Sequence, residues 1–145
     1  MGANRVIKFR AWDKHAKSMH NLSSMLFYCD PMEIDHDGNM GEHKSVEHFE
    51  LMQFTGLTDK SGAEIYEGDI VALDHGGTKW NLSALEVIYL NGSFQFNRKD
   101  LPYPCGFVTY AEQCANRGLL DDHAMLGSII TIIGNIHEHP ELINN

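Results

Sequence analysis

Residues Glu50 to Leu73, ELMQFTGLTDKSGAEIYEGDIVAL, decide the fold of this 145-residue chain. The segment contains β-prone apolar runs and no apolar repeat at helical spacing, so it predicts strands. Asp59 to Gly62 has the residues of a type I turn closed by a left-handed glycine, which commonly joins hairpin strands. The segment therefore indicates a β fold, and it contains no catalytic or ligand-binding motif.

A second hairpin signal lies further along the chain. Asn91-Gly92 separates two β-prone runs between Leu85 and Phe96, and a type I′ turn needs positive φ at both central residues. We expect this hairpin to share one antiparallel, barrel-like sheet with the strands at Ile70 and Ile130. Gly92 should have a positive φ.

The remaining segments predict further strands, a loop and short helices. Val6 to Trp12 alternates as a strand, and Ser128 to Ile136 is apolar on both faces, which is typical of a central strand. Cys29 to Lys44 is polar and contains Pro31 and glycines, so it predicts a long irregular arm, which is either a loop or an irregular hairpin. A short helix is expected within Thr109 to Leu120, before the Gly118 cap, and a helical turn at Pro140 to Ile143.

These elements together predict a mainly β protein. We expect an antiparallel sheet closing into an SH3-like or related small barrel, with a long irregular arm and one or two short helices. A chain of this length is one domain by the usual size range. The domain spans residues 1–145, with an N-terminal strand and arm at about 5–48 and a barrel-like core at about 49–143.

Composition limits the compartment and the partners. The formal net charge is -9, with 20 acidic and 11 basic residues, so binding to duplex DNA is disfavoured. The N-terminal residues lack the apolar run of a signal peptide, and no apolar run is long enough to cross a bilayer. The three cysteines form no C-x-x-C motif, which favours a reducing compartment. We therefore expect a cytoplasmic protein without a membrane partner.

Three side chains are the candidate binding residues. Alternation places Arg10 and Trp12 on a predicted outward strand face, and such pairs are enriched at protein interfaces. Tyr66, beside Gly68-Asp69, offers a surface on which a nucleic-acid base stacks in small β-barrels. The structural alternatives are that Trp12 closes a barrel end and that Tyr66 is a tyrosine at the edge of the core.

Histidine and carboxylate groups raise the possibility of a metal site. Imidazole and carboxylate ligands suit zinc, and the candidate ligands are His36, His43, His48, His137 and His139. No spacing among them is diagnostic of a known site, so we expect no native metal and no cofactor. The sequence also lacks a G-x-S-x-G motif, a recognisable cysteine nucleophile and a P-loop, so no catalytic residue is assigned.

Four segments resemble the YopX family of phage and prophage proteins. They are IKFRAWDK at Ile7–Lys14, LMQFTGLTDKSGAEIYEGDIV at Leu51–Val71, NGSF at Asn91–Phe94 and IGNIHEHPEL at Ile133–Leu142. They fall in family order and span nearly the whole chain. The resemblance implies a mostly β protein of phage origin in a bacterial cytoplasm, with no assigned activity and no catalytic residues to transfer. Similar proteins more often have tyrosine and asparagine at the positions of His137 and His139. This argues against these histidines as metal ligands shared by the family.

Three functions remain open after the sequence alone. The first is a protein-interaction module of phage or prophage, without catalysis, that self-associates or binds a host or phage protein. The second is a small β-barrel associated with nucleic acid, which is an analogy of fold only. The third is a metal-dependent activity that uses the histidine and carboxylate clusters.

Overall fold

A computed structural model describes residues 6–26, 31–37, 44–74, 82–107, 109–111 and 126–144. These residues form two antiparallel sheets and short helical turns, so the predicted mainly β fold is confirmed. The chain divides into two compact units, Met1–Phe54 and Thr55–Asn145.

The first unit is built on antiparallel strands in the order β4-β3-β2-β1-β5. Ala11, Ile34 and Phe49 are buried and form its small core. β5 continues into the second unit, where β6 is its neighbour. The elements are β1 (Phe9–Asp13), β2 (Ser18–Leu26), β3 (Glu33–His36), β4 (Lys44–Ser45), a 3-10 turn (Val46–His48) and β5 (Phe49–Thr58).

The segment predicted as an irregular arm contains β structure. β3 pairs with β2 on one side and with β4 on the other, so of the two alternatives for this segment a structureless loop is wrong for these residues, and an irregular hairpin arm agrees with the pairing. Alternation within β3 buries Ile34 and His36. A four-residue strand whose inward residues are one isoleucine and one histidine carries too weak an apolar signal for recognition from sequence. Residues 27–30 and 38–43 of the segment lie outside the described residues.

The second unit contains a five-stranded sheet in the order β10-β9-β8-β7-β11. The hairpin of β8 and β9 and the strands at Ile70 and Ile130 share this antiparallel sheet, as predicted. Asn91 and Gly92 have φ values of 52° and 82°, which confirms the expected turn. The elements are β6 (Glu64–Tyr66), β7 (Asp69–Leu73), β8 (Leu82–Leu90), β9 (Ser93–Asn97), β10 (Cys105–Gly106), a 3-10 turn (Leu126–Ile129), β11 (Ile130–Asn135) and a helical turn (Glu141–Asn144).

Among the strands that the structure describes, β11 lies at an edge of this sheet, so the central position predicted for it is wrong. The turn that follows β5 covers part of that edge. The Asp59 carboxylate accepts a hydrogen bond from the Ile132 N–H at 3.2 Å, and the Lys60 N–H donates to the Ile130 carbonyl at 3.0 Å. An apolar strand on an edge needs such cover, because its unpaired backbone groups otherwise attract another strand.

Ten buried side chains form the main core of the second unit. Phe96 stacks on Phe107 with ring centroids 4.4 Å apart. The core consists of Ile65, Val71, Leu73, Leu85, Val87, Phe96, Phe107, Leu126, Ile129 and Ile130. Closure of the sheet into a barrel stays a prediction.

Two further predictions fall partly outside the described residues. Residues 109–111 are helical, in agreement with the helix expected near Thr109, and 112–125 are not described. Cys105 lies half-buried in β10, whereas Cys29 and Cys114 are not described. In the described part of the chain, no helix is long and apolar enough to span a membrane.

Candidate functional site

Three side chains converge where β2 and β3 pair, and we call them the histidine cluster: His20, His36 and Asp37. His36 ends β3 and lies opposite Leu22 of β2. His20 lies two residues before Leu22, on the same face of β2, because side chains alternate along a strand. Diagonal neighbours on paired strands are within reach of long side chains, so the register of β2 and β3 brings the two imidazoles together.

The distances within the histidine cluster are short. The Nδ1 atom of His20 lies 3.2 Å from Asp37 Oδ1 and 3.1 Å from the Asp37 carbonyl oxygen. The Nδ1 atom of His36 lies 2.7 Å from the same carbonyl oxygen. The two rings have centroids 4.3 Å apart, and His20 Nε2 lies 2.6 Å from Ser18 Oγ.

The backbone around Asp37 continues the pairing of β2 and β3. The Asp37 N–H donates to the Asn21 carbonyl at 3.0 Å, and the Asn21 N–H donates to Asp37 Oδ1 at 2.9 Å. The Asp37 side chain is 54% exposed. Asp37 is therefore held through its backbone N–H and through Oδ1, while about half of its side chain stays exposed to solvent.

His36 differs from Asp37 in being buried, with only 5% of its surface exposed. Its ring meets the Phe49 ring edge to face, with centroids 5.2 Å apart. Its Nε2 atom is buried and has no hydrogen-bond partner among the residues that the structure describes. A buried polar nitrogen without a hydrogen bond destabilises the folded protein by about 1–3 kcal/mol, so its presence requires an explanation.

The other predicted histidine ligands are placed differently. His48 lies against His15, with ring centroids 5.2 Å apart, and His43 is not described. The backbone N–H of His137 donates to Asn135 Oδ1, and His139 Nδ1 accepts from the Asn135 N–H at 3.3 Å. Within the described ranges, the histidine cluster is the one group of three or more His, Cys, Asp or Glu residues close enough to hold a metal ion.

Sequence reasoning found His36 and missed His20. His20 lies 16 residues before it, in a segment without any metal-site spacing. Only the pairing of β2 with β3 connects the two. That pairing was hidden because β3 was predicted as part of an irregular arm.

The predicted binding residues Arg10, Trp12 and Tyr66 expose little surface. Trp12 is 7% exposed, so the outward orientation predicted for it is wrong. The guanidinium of the half-buried Arg10 contacts the Met52 sulfur at 3.8 Å. Tyr66 is also 7% exposed, and its hydroxyl donates to Glu64 at 2.9 Å.

A second feature is the end of the β8–β9 hairpin, which we call the hairpin tip: Tyr89, Leu90 and Phe94. Tyr89 is 46% and Leu90 43% exposed. Tyr89 pairs directly across the strands with Phe94, and their rings meet edge to face at 5.1 Å. The tip thus presents aromatic and aliphatic side chains to solvent.

A shallow cleft of about 400 Å³ lies beside β8 and the C-terminal helical turn. Its wall includes Glu86, and burial raises the pKa of this carboxyl group. The nearby Arg98 guanidinium already binds Asp100 and the Ser83 carbonyl. Within the described residues, the cleft therefore does not supply Glu86 with the arranged partners that a general acid or base needs.

Comparisons with known proteins place these features in a family. A family model described as YopX protein matches residues 8–144. Protein EF1440 from Enterococcus faecalis has a crystal structure with 27% identity and a TM-score of 0.57, covering 97% of this chain and 100% of that chain. Protein yopX from Bacillus subtilis has 19% identity and a TM-score of 0.57, covering 95% and 96%, and at that identity it shows the fold alone. A comparison with curated proteins found no match. Because the family model spans nearly the entire sequence, the chain belongs to the YopX family.

Proposed function

We propose that this chain is an accessory protein of a phage or prophage that acts in the bacterial cytoplasm by binding protein, without catalysis. The observation that carries the proposal is the hairpin tip. Tyr89 and Leu90 are each nearly half exposed at the end of the hairpin, on opposite faces of β8, and exposed apolar side chains that are grouped on a small protein mark interaction surfaces. The first partner to test is a second copy of this chain, since homo-oligomers are common.

The charge pattern supports the hairpin tip as the contact surface. Residues Val87 to Asn97 contain no Asp, Glu, Lys or Arg, although the chain as a whole has 31 such residues, 20 acidic and 11 basic. Depletion of charge with enrichment of aromatic residues is the compositional mark of an interface centre. An uncharged tip also limits the repulsion between two copies of an acidic protein, because charges beyond about 8–10 Å are screened at physiological salt.

The packing of the hairpin gives the tip a defined shape. Val87 and Phe96 are buried on the core-facing side, and Tyr89 and Phe94 continue the same row of side chains, with Phe94 packed against the edge of the core. A rigid, preorganised tip loses little conformational entropy on binding. Tyr89 is therefore the expected anchor, since tyrosine is enriched among residues that dominate binding energy.

Light scattering after gel filtration tests self-association at tens of micromolar protein. The wild-type chain should give a mass above the 16.4 kDa of one copy, and the double variant Tyr89→Ser, Leu90→Ser should return to that mass. Ile7→Ser is the matched control, because Ile7 is 66% exposed but lies in the first unit. It should leave the mass unchanged.

A photo-crosslinking residue at position 90 tests a host or phage partner. It should capture a defined protein from lysate with or without nuclease, whereas the same residue at position 7 should not. A monomeric wild-type chain that also captures nothing at position 90 would overturn the proposal.

A further inference from the structure

We propose that the histidine cluster binds one divalent transition metal ion of the Zn²⁺ class. The ligands are one imidazole nitrogen each from His20 and His36 and one carboxylate oxygen from Asp37. One ligand atom from each residue lies within 4.8 Å of the others. This site lies wholly in the first unit and is independent of the hairpin tip.

The hydrogen bond at His36 prepares its ring for coordination. Nδ1 lies 2.7 Å from the Asp37 carbonyl oxygen, so this nitrogen carries the proton and donates it there. The lone pair is then on Nε2, the buried nitrogen that has no partner in the described part of the chain. Histidines that bind metals typically donate the other ring N–H to a backbone carbonyl or a carboxylate. A bound metal would account for a buried lone pair that is otherwise costly.

His20 and Asp37 supply the remaining ligands from the accessible side. The His20 side chain is 22% exposed and the Asp37 side chain 54% exposed, so an ion can reach them from solvent. Their ligand atoms are already 3.2 Å apart, close to the spacing of about 3.3–3.6 Å that bond lengths of 2.0–2.2 Å impose in a tetrahedron. The two ligand atoms therefore need to separate by only about 0.1–0.4 Å to bind one ion.

The donor set selects the metal class. Ca²⁺ and Mg²⁺ prefer sites made of oxygen ligands, whereas two imidazoles with one carboxylate suit Zn²⁺ and its neighbours in the transition series. Three protein ligands leave one position of a tetrahedron for water. The histidine cluster contains one residue of β2, the last residue of β3 and the residue that follows it. A bound ion would therefore also link these two strands.

Calorimetric titration of Zn²⁺ into the full chain, after treatment with chelator, tests the site. The wild-type chain should bind one ion, and His20→Gln and Asp37→Asn should each weaken binding by at least roughly tenfold. Both variants change partly exposed side chains, so they should fold, as circular dichroism checks. His48→Gln is the matched control, because His48 lies in the same unit but outside the cluster, and it should bind Zn²⁺ like the wild type.

Thermal unfolding gives a second measurement, because a ligand of the folded state raises the unfolding temperature by mass action. Zn²⁺ should raise the midpoint for the wild-type chain and His48→Gln, but much less for His20→Gln and Asp37→Asn. Absence of binding at 100 µM Zn²⁺, or equal affinity in all four proteins, would overturn the proposal.

Discussion

Replacing Asp59 with asparagine should destabilise the second unit strongly, because one carboxylate joins a turn to a strand 73 residues away. Asp59 is 7% exposed. Its Oδ1 atom accepts hydrogen bonds from Ser61 N–H at 2.9 Å, Ser61 Oγ–H at 2.7 Å and Ala63 N–H at 3.0 Å. Its Oδ2 atom accepts from Ile132 N–H at 3.2 Å.

An asparagine side chain has one oxygen acceptor. It can therefore accept hydrogen bonds from the turn or from the Ile132 N–H, but not from both. If its oxygen faces the turn, its NH₂ group meets the Ile132 N–H, and two donors face each other. The lost bond to a charged acceptor is worth about 1.5–3 kcal/mol, and the three remaining bonds become neutral and weaker. We expect Asp59→Asn to lower the free energy of unfolding by about 2–4 kcal/mol.

The assay is urea denaturation followed by circular dichroism at neutral pH. Asp100→Asn is the control, because Asp100 is exposed and pairs with Arg98 at the surface, where ion pairs contribute little. A loss below about 1 kcal/mol for Asp59→Asn, or equal losses in the two variants, would refute the argument that Asp59 secures the edge of β11.

The same carboxylate predicts a pH dependence. Burial raises the pKa of Asp59, but the hydrogen bonds from Ser61, Ile132 and Ala63 lower it more, so the pKa is below its usual value. Because the pKa of Asp59 is lower in the folded protein than in the unfolded chain, the ionised carboxylate stabilises the fold fully above the unfolded pKa of about 3.9. This stabilisation is lost as the pH falls through the pKa of the folded state. The difference in stability between wild type and Asp59→Asn should therefore shrink below about pH 4, and a difference that stays constant to pH 2 would contradict this assignment.

The remaining predictions concern packing and nucleic acid. Gly127→Ala should cost about 3 kcal/mol or prevent folding, because a Cβ there would lie 2.0 Å from the Thr58 carbonyl oxygen. Gly106→Ala is its control, since the nearest atom to a Cβ is 3.8 Å away, and urea denaturation should show a much smaller change. Equal losses would contradict the close approach at Gly127. In fluorescence anisotropy at physiological salt, random duplex DNA should bind with a dissociation constant no lower than about 10⁻⁵ M, because the formal net charge of the protein is -9. Sub-micromolar affinity that weakens steeply with salt would favour the nucleic-acid alternative.

The sequence alone determined the parts of the fold that local chemistry controls. Asn91-Gly92 predicts its turn because both residues tolerate positive φ, and Asp59 to Gly62 predicts the turn after β5 through its aspartate and glycine. The alternating and β-branched runs beside these turns are enough to establish a mainly β chain. These signals depend on neighbouring residues, so a sequence window of about ten residues contains them.

Tertiary structure alone decided which distant segments meet. The edge position of β11 depends on cover by the Asp59 turn, and the histidine cluster depends on the pairing of β2 with β3. A shift of one residue in that pairing would move every side chain of a strand to the opposite face, so His20 would no longer lie beside His36. The residue types permit the histidine cluster, but the register of β2 and β3 creates it. That register is set by the packing of Ile34 with Ala11 and Phe49 in the core.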